Sequence, residues 1–282
     1  MENLILFINI VIFFISIVLL FIMAKPQFLA NVIGDVYGLI ASDYVPPDCV
    51  AETFTDPETK YTSRILIRKC QNDTGLFIFD IPGGAFINSQ TNRTLFDSMQ
   101  CPYTTYHFEY PVLFKAAFNE TCTYLKNAIF KKLKELVDSG QKFKFVFTGT
   151  SAGAYLVLMV YRALYDQSRE FKEHLAGIFT VSGYFGAESL KHPSMLKLVD
   201  YMYLTSPVMR SRFSLSKVSV PLFILVGQRD FIYESSIYFA RKNNVAPHIY
   251  KGTHVFFNDV TSPDTQSMYM FMASEMKRIA ES

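Results

Sequence analysis

The stretch Gly149-Thr150-Ser151-Ala152-Gly153 constrains the fold of this chain more than any other, because of what flanks it. Upstream, residues 142–148 alternate and end in β-formers, as a strand entering a sheet does. Downstream, residues 154–161 run without a breaker and read as a buried helix. A small-residue pentapeptide between a strand and a helix predicts a tight, strained turn that lifts one side chain clear of the sheet. The flanking glycines let neighbouring backbone pass close by. Ser151, raised at the N-terminus of a helix whose free N–H groups face a reacting oxygen, is then a candidate nucleophile. The same spacing also suits a plain strand-to-helix turn, so the rest of the chain has to decide between the two.

A serine needs a histidine to take its proton, and the histidine needs a carboxylate to fix its tautomer and stabilise its charge. In the α/β-hydrolases, which the strand–G-x-S-x-G–helix unit resembles, these groups arrive in chain order as Ser, Asp or Glu, then His, each just past a strand. Residues 220–227 read as a strand, and Asp230 follows its end. Residues 245–250 read as the next strand, and His254 follows that. The other histidines fit this role less well. His248 lies inside a strand and His107 in a strand ahead of the serine, while His174 falls in a charged helix and His192 in a Met- and Leu-rich segment.

The tetrahedral intermediate of acyl transfer also needs two preorganised backbone N–H donors. One is expected from Ala152, the residue after the serine. The other is expected from a glycine turn after an earlier strand. Pro82-Gly83-Gly84-Ala85-Phe86 follows the strand at residues 75–81, so Gly83 and Gly84 are the candidates. Four parts in the right order and context leave coincidence a poor account of the pentapeptide.

With these residues in place, the chain resembles the hormone-sensitive-lipase-like branch of the α/β-hydrolases, which includes arylacetamide deacetylases and many carboxylesterases. Pro82-Gly83-Gly84-Ala85-Phe86 is similar to the branch's H-G-G-G-[FW], and Gly149-Thr150-Ser151-Ala152-Gly153 to its G-D-S-A-G. Ser206-Pro207, Val220-Pro221 and the run from Gly227 to Ile232 are similar to its S-P, P-P and G-x-x-D-x-L, and His254-Val255-Phe256 to its H-x-F. The likeness covers roughly residues 60–280. It departs at Pro82, Ala85 and Thr150, where the branch has His, Gly and Asp. The resemblance implies a serine hydrolase of small or lipid-like hydrophobic esters working without a cofactor. An amidase of the kynurenine formamidase kind shares most of the pattern, and a non-catalytic binding or adhesion module could use the same scaffold.

Further strand-like runs at residues 61–69, 103–110 and 175–181 join those already named, and helical patterns separate most of them. This alternation predicts an α/β fold with a mainly parallel central sheet covered by helices on both faces. Candidate ligand groups then gather at the carboxyl ends of the strands. The expected division is an N-terminal segment at 1–24, a helical lid or cap at 25–60, and a catalytic domain at 61–282 with a second lid near 187–216. Apolar residues from Phe28 to Ile40 at helical spacing predict an amphipathic helix, and the resemblance implies that this segment and the second one form the lid over the acyl pocket. The second segment reads equally as ordinary core helices.

Residues 4–23 form an apolar run without a charge, roughly 20 residues long and so able to span a bilayer as a helix. The expected reading is an uncleaved membrane anchor, with a cleaved signal as the alternative because residues 22–24 could serve as a cleavage site. Lys25 weakly favours a cytosolic side for the residues C-terminal to it. Three N-x-[ST] sequons, at Asn72, Asn92 and Asn119, argue instead for a catalytic domain in the lumen or outside the cell. Cys49, Cys70, Cys101 and Cys122 permit two disulfides or four buried thiols. The net charge of +2, with no basic block, makes nucleic acid an unexpected partner. No metal-ligand or nucleotide motif is present.

Overall fold

Eight strands form one sheet in the computed structural model, which describes residues 45–70, 75–84, 86, 89, 102–112, 116–185, 217–254 and 256–282. The strands are β1 (Cys49–Thr55), β2 (Thr62–Arg68), β3 (Leu76–Ile81), β4 (Thr104–Phe108), β5 (Lys144–Thr150), β6 (Leu175–Val181), β7 (Leu222–Gly227) and β8 (His248–Tyr250). The helices are α1 (Phe118–Asp138), α2 (Ala152–Tyr165), α3 (Arg169–His174), α4 (Tyr233–Asn243) and α5 (Pro263–Glu281). The spatial order is β1-β2-β4-β3-β5-β6-β7-β8. The β1–β2 and β2–β4 pairs are antiparallel, and every pair from β4 through β3 to β8 is parallel. Parallel neighbours need crossovers, and α1, α2, α3 and α4 lie in those connections.

The period-2 alternation along the central strands sorts two cores. Phe77, Phe79, Ile81, Phe145, Phe147, Ile178 and Ile224 join the helices α1 to α4 on one face. Leu76, Ile78, Val146, Phe179, Val181 and Leu225 meet α5 on the other. β3 is buried along its whole length, as a strand covered on both faces must be. Aromatic rings fill the first core, with Phe79 stacked on Phe145 at 4.7 Å between centroids. Such contacts add to the burial of apolar area, which dominates the stability of a core like this.

One boundary is corrected. Residues 49–55, expected within the helical cap, are strand β1, paired with β2 through seven register partners from Cys49↔Arg68 to Thr55↔Thr62. β1 is an edge strand in which only Phe54 is buried, so it carries little apolar alternation for a sequence reading to find. A turn closes the hairpin: Asp56 accepts hydrogen bonds from the Thr59 amide and hydroxyl, and Lys60 takes φ 64°. Burial pushes the Asp56 carboxyl up, but hydrogen bonds from Thr59 and Asn127 outweigh it and hold the group below its ordinary value. Lys132 on α1 pairs with Glu52 on the strand and also bonds Glu135.

Several expectations fall outside the described residues: the apolar run 4–23, the stretch from Phe28 to Ile40, the segment 187–216, Asn72, Asn92 and Cys101. Among the described residues no helix is long and apolar enough to cross a membrane. Asn119 is exposed in the first turn of α1, whereas Thr121 of its sequon is buried and its hydroxyl donates to the Pro111 carbonyl at 2.7 Å. No disulfide joins Cys49, Cys70 and Cys122 to one another, whereas two bridges among four cysteines need at least one such pair. Burial pushes the Cys122 thiol up to about 12, which leaves it a poor nucleophile.

Candidate active site

β5 ends in the turn that carries Ser151, and α2 begins at the next residue. Ser151 itself has φ 49° and ψ −117°, a left-handed conformation strained for any residue with a Cβ. The turn is held from three sides. The Ser151 amide donates to the Val181 carbonyl at 3.0 Å, and the Ser151 carbonyl accepts from the amides of Ala154 at 3.2 Å and Tyr184 at 3.1 Å. Gly153 is required by close approach, since a Cβ there would lie 2.0 Å from the Ile81 carbonyl oxygen.

The three residues expected to act together do meet. The Ser151 hydroxyl faces His254 Nε2 at 2.9 Å, and His254 Nδ1–H donates to Asp230 Oδ1 at the same distance. Asp230 reaches this position from the turn after β7, and His254 from the turn after β8. Asp230 Oδ1 also accepts from the Ile232 amide at 2.9 Å, which fixes the carboxylate against the start of α4. The Asp230 side chain is fully buried and His254 is 17 % exposed. A buried carboxylate that accepts at Nδ1 selects the tautomer whose Nε2 lone pair faces the serine. The aromatic face of Phe231, itself 57 % exposed, covers the imidazole at 4.3 Å between centroids.

The glycine turn after β3 lies beside Ser151, and here one expectation is corrected. The Gly83 amide donates to the Thr150 hydroxyl at 2.8 Å, so it is already committed and is not a free donor for an oxyanion. The amides of Gly84, at φ 122°, and of Ala152, in the first turn of α2, remain for that role. A Cβ on Gly83 would lie 2.8 Å from the Thr150 carbonyl oxygen and 3.1 Å from Ser151 Cβ, so the turn packs directly on the elbow.

Below the turn, Asp80 on β3 accepts from the Thr148 hydroxyl at 2.6 Å and pairs with His107 Nδ1 at 3.0 Å. The Tyr110 hydroxyl donates to the Pro82 carbonyl at 3.2 Å. These buried bonds knit β4, β3 and β5 just beneath the two turns. From sequence His107 reads only as a strand histidine, and this cluster is not visible there, because the three residues lie far apart in the chain. His174 stacks on Phe143 at 4.0 Å and His248 packs on Phe271 at 3.9 Å, both away from Ser151's partners. Among the described residues no group of His, Cys, Asp and Glu has the make-up of a metal site.

The family model for lipase (class 3) matches residues 85–184, less than half of the chain but including the Ser151 elbow. Comparison with curated proteins by sequence gives no match. Solved structures do match. Brefeldin A esterase, described as a bacterial homologue of human hormone-sensitive lipase, superposes with a TM-score of 0.70 at 13% identity, covering 92% of this chain and 86% of that one. An esterase from the fungus Rhizomucor miehei gives 0.69 at 15% identity over 90% of each chain. Carboxyl esterase 2 from the mycorrhizal fungus Tuber melanosporum gives 0.67 at 14% identity, over 85% of this chain and 89% of that one. Strand order, parallel core and overall likeness agree: the chain has the α/β-hydrolase fold on which these esterases are built.

Proposed function

We propose that this protein hydrolyses carboxylic esters of small or lipid-like hydrophobic molecules through an acyl-serine intermediate. The observation that carries the reading is the hydrogen-bonded chain Ser151–His254–Asp230 at the carboxyl edge of the sheet. In the first half-reaction the Ser151 hydroxyl gives its proton to His254 Nε2 as Oγ attacks the ester carbonyl carbon. Asp230 stabilises the imidazolium that forms. The carbonyl oxygen becomes an oxyanion facing the Gly84 and Ala152 amides, aided by the positive end of α2. Collapse expels the alkoxide, which takes the proton from His254. In the second half-reaction water gives a proton to His254 Nε2 as its oxygen attacks the acyl carbon; the acyl–Oγ bond then breaks as His254 returns that proton to Ser151 Oγ, releasing the carboxylic acid.

The similarity to structures of carboxylesterases supports an ester as substrate, and the apolar run at 4–23 supports a membrane anchor that keeps the site near hydrophobic esters. With the sequons, that run favours a catalytic domain on the lumenal or exterior side.

The test is fluorophosphonate labelling of the full chain beside Ser151→Ala, with turnover of p-nitrophenyl butyrate measured in parallel. Labelling and turnover lost together in a folded Ser151→Ala variant are the expected result. A folded wild-type chain that takes no label and turns over no ester overturns the reading and leaves a binding scaffold. Membrane fractionation with protease protection and a glycosidase shift tests the anchor and its orientation. A chain recovered wholly in the soluble fraction overturns the anchor.

A further inference from the structure

Two buried side-chain oxygens near the triad take no hydrogen bond, and they follow neighbouring strands. One is Asp230 Oδ2, on a side chain that is fully buried, while Oδ1 of the same carboxylate accepts from both His254 and Ile232. The other is Ser182 Oγ, on a residue 0 % exposed that directly follows β6. A buried polar atom without a partner is destabilising, and most so on a charged group. Folded interiors contain few such atoms, so a pair at one edge of a sheet calls for a physical account.

The backbone adds a second, independent observation. Ser182 has φ 49°, in the left-handed region that glycine adopts without strain. A serine there combines a strained backbone with an unbonded buried hydroxyl, and a glycine would avoid both. Local conformation does not explain the hydroxyl, which points to a use for it.

The position of Ser182 suggests that use. Its amide donates to the Leu225 carbonyl at 2.8 Å, tying the end of β6 to the strand that runs into Asp230. The turn from β7 to Asp230 is closed by the Asp230 amide donating to the Gly227 carbonyl at 3.0 Å. On its other side, the preceding residue Val181 holds the Ser151 amide. Ser182 is therefore fixed between the nucleophile's turn and the carboxylate's.

We propose that Ser182 is a positioning residue for the triad, its hydroxyl donating a hydrogen bond toward Asp230 Oδ2 through one buried water or after rotation about Cα–Cβ. This contact holds the carboxylate plane so that Oδ1 stays on His254 Nδ1 while the imidazole carries the serine's proton. The inference rests on the proposed ester hydrolysis at Ser151.

The experiment compares kcat, KM and thermal midpoint for the full chain on p-nitrophenyl butyrate. The variants are Ser182→Gly, Ser182→Ala, Asp230→Asn and the double variant Ser182→Gly/Asp230→Asn. Ser182→Gly removes the hydroxyl and relieves the backbone, so its thermal midpoint holds or rises. Its kcat falls roughly tenfold, the size expected for a hydrogen bond to a charged group, with KM little changed. Ser182→Ala, which keeps the Cβ and the strain, shows the same fall. In the Asp230→Asn background, removing the hydroxyl lowers kcat by less than about twofold, because the carboxylate it serves is gone.

A kcat within about twofold of wild type in Ser182→Gly or Ser182→Ala overturns the proposal. So does an equal loss from Ser182→Gly in both backgrounds, which marks a general structural role. In each of those cases wild-type turnover remains and the hydrolase reading stands. A wild-type chain with neither turnover nor fluorophosphonate labelling overturns the hydrolase reading, and this proposal with it.

Discussion

The Gly83 amide donates its hydrogen to the Thr150 hydroxyl at 2.8 Å, joining the glycine turn after β3 to the residue before Ser151. That bond makes two separate turns behave as one rigid element. It also decides which amides are left to face an oxyanion. Catalysis by such amides depends on their being held in place before charge develops, so the cross-link bears on rate more than on substrate binding.

Thr150→Val keeps the shape of the side chain and removes the acceptor. The Gly83 amide is then unsatisfied, at a cost of roughly 1–2 kcal/mol. The expected outcome is a several-fold to tenfold lower kcat with KM nearly unchanged, and recovery in Thr150→Ser. Steady-state kinetics on one ester checks it, and a fall confined to KM would contradict the argument.

Gly153→Ala places a Cβ 2.0 Å from the Ile81 carbonyl and 2.6 Å from the Pro82 carbonyl. Neither neighbour is a flexible side chain, so strand and helix have to separate. Overpacking of this kind is expected to destabilise by about 3 kcal/mol or more. Urea unfolding followed by circular dichroism measures it; a midpoint equal to wild type would mean that the elbow tolerates the space.

Phe231 lies over the His254 ring while being largely exposed itself. An aromatic face beside an imidazolium contributes about 0.5–1 kcal/mol at an exposed site. Phe231→Ala is therefore expected to lower kcat/KM by a few-fold with no loss of thermal stability. Unchanged kcat/KM across acetate, butyrate and octanoate esters would show the ring to be a bystander.

His248 supplies a pH prediction remote from the triad. Burial against Phe271 lowers its pKa below the ordinary 6.5, partly offset by the charge of Glu275. A histidine with a depressed folded pKa leaves the unfolded chain binding more protons at acid pH, so stability rises with pH across that window. The contribution is fully present above about pH 6.5 and is lost as pH falls through the lower folded value. His248→Phe is expected to flatten the dependence of the urea midpoint between pH 7.5 and 5.5. An identical slope in the variant would assign the dependence to other groups.

The strand–elbow–helix unit was legible because its signals are local: alternation up to Thr148, small residues around Ser151, then an apolar run at helical length. Asp230 and His254 were legible for a related reason. Each follows a β-rich run directly, and parallel strands bring their carboxyl ends to one edge. β1 was not legible, since an edge strand with a single buried side chain leaves no periodic trace. The cluster of Asp80, His107 and Thr148 was hidden too. Register across β4, β3 and β5 brings the three together, and register is a tertiary property.

The sequence by itself determined the type and order of the elements and the order of Ser151, Asp230 and His254, because hydrophobic period and turn chemistry are written in consecutive residues. Tertiary structure alone decided that the Gly83 amide is held by Thr150, that the Phe231 ring lies against His254, and that Ser182 is fixed between the turns that carry Ser151 and Asp230. Those relations depend on which strands become neighbours and which backbone groups are already bonded when they meet. No local pattern encodes them, since a hydrogen bond across the sheet is set by geometry between residues tens of positions apart.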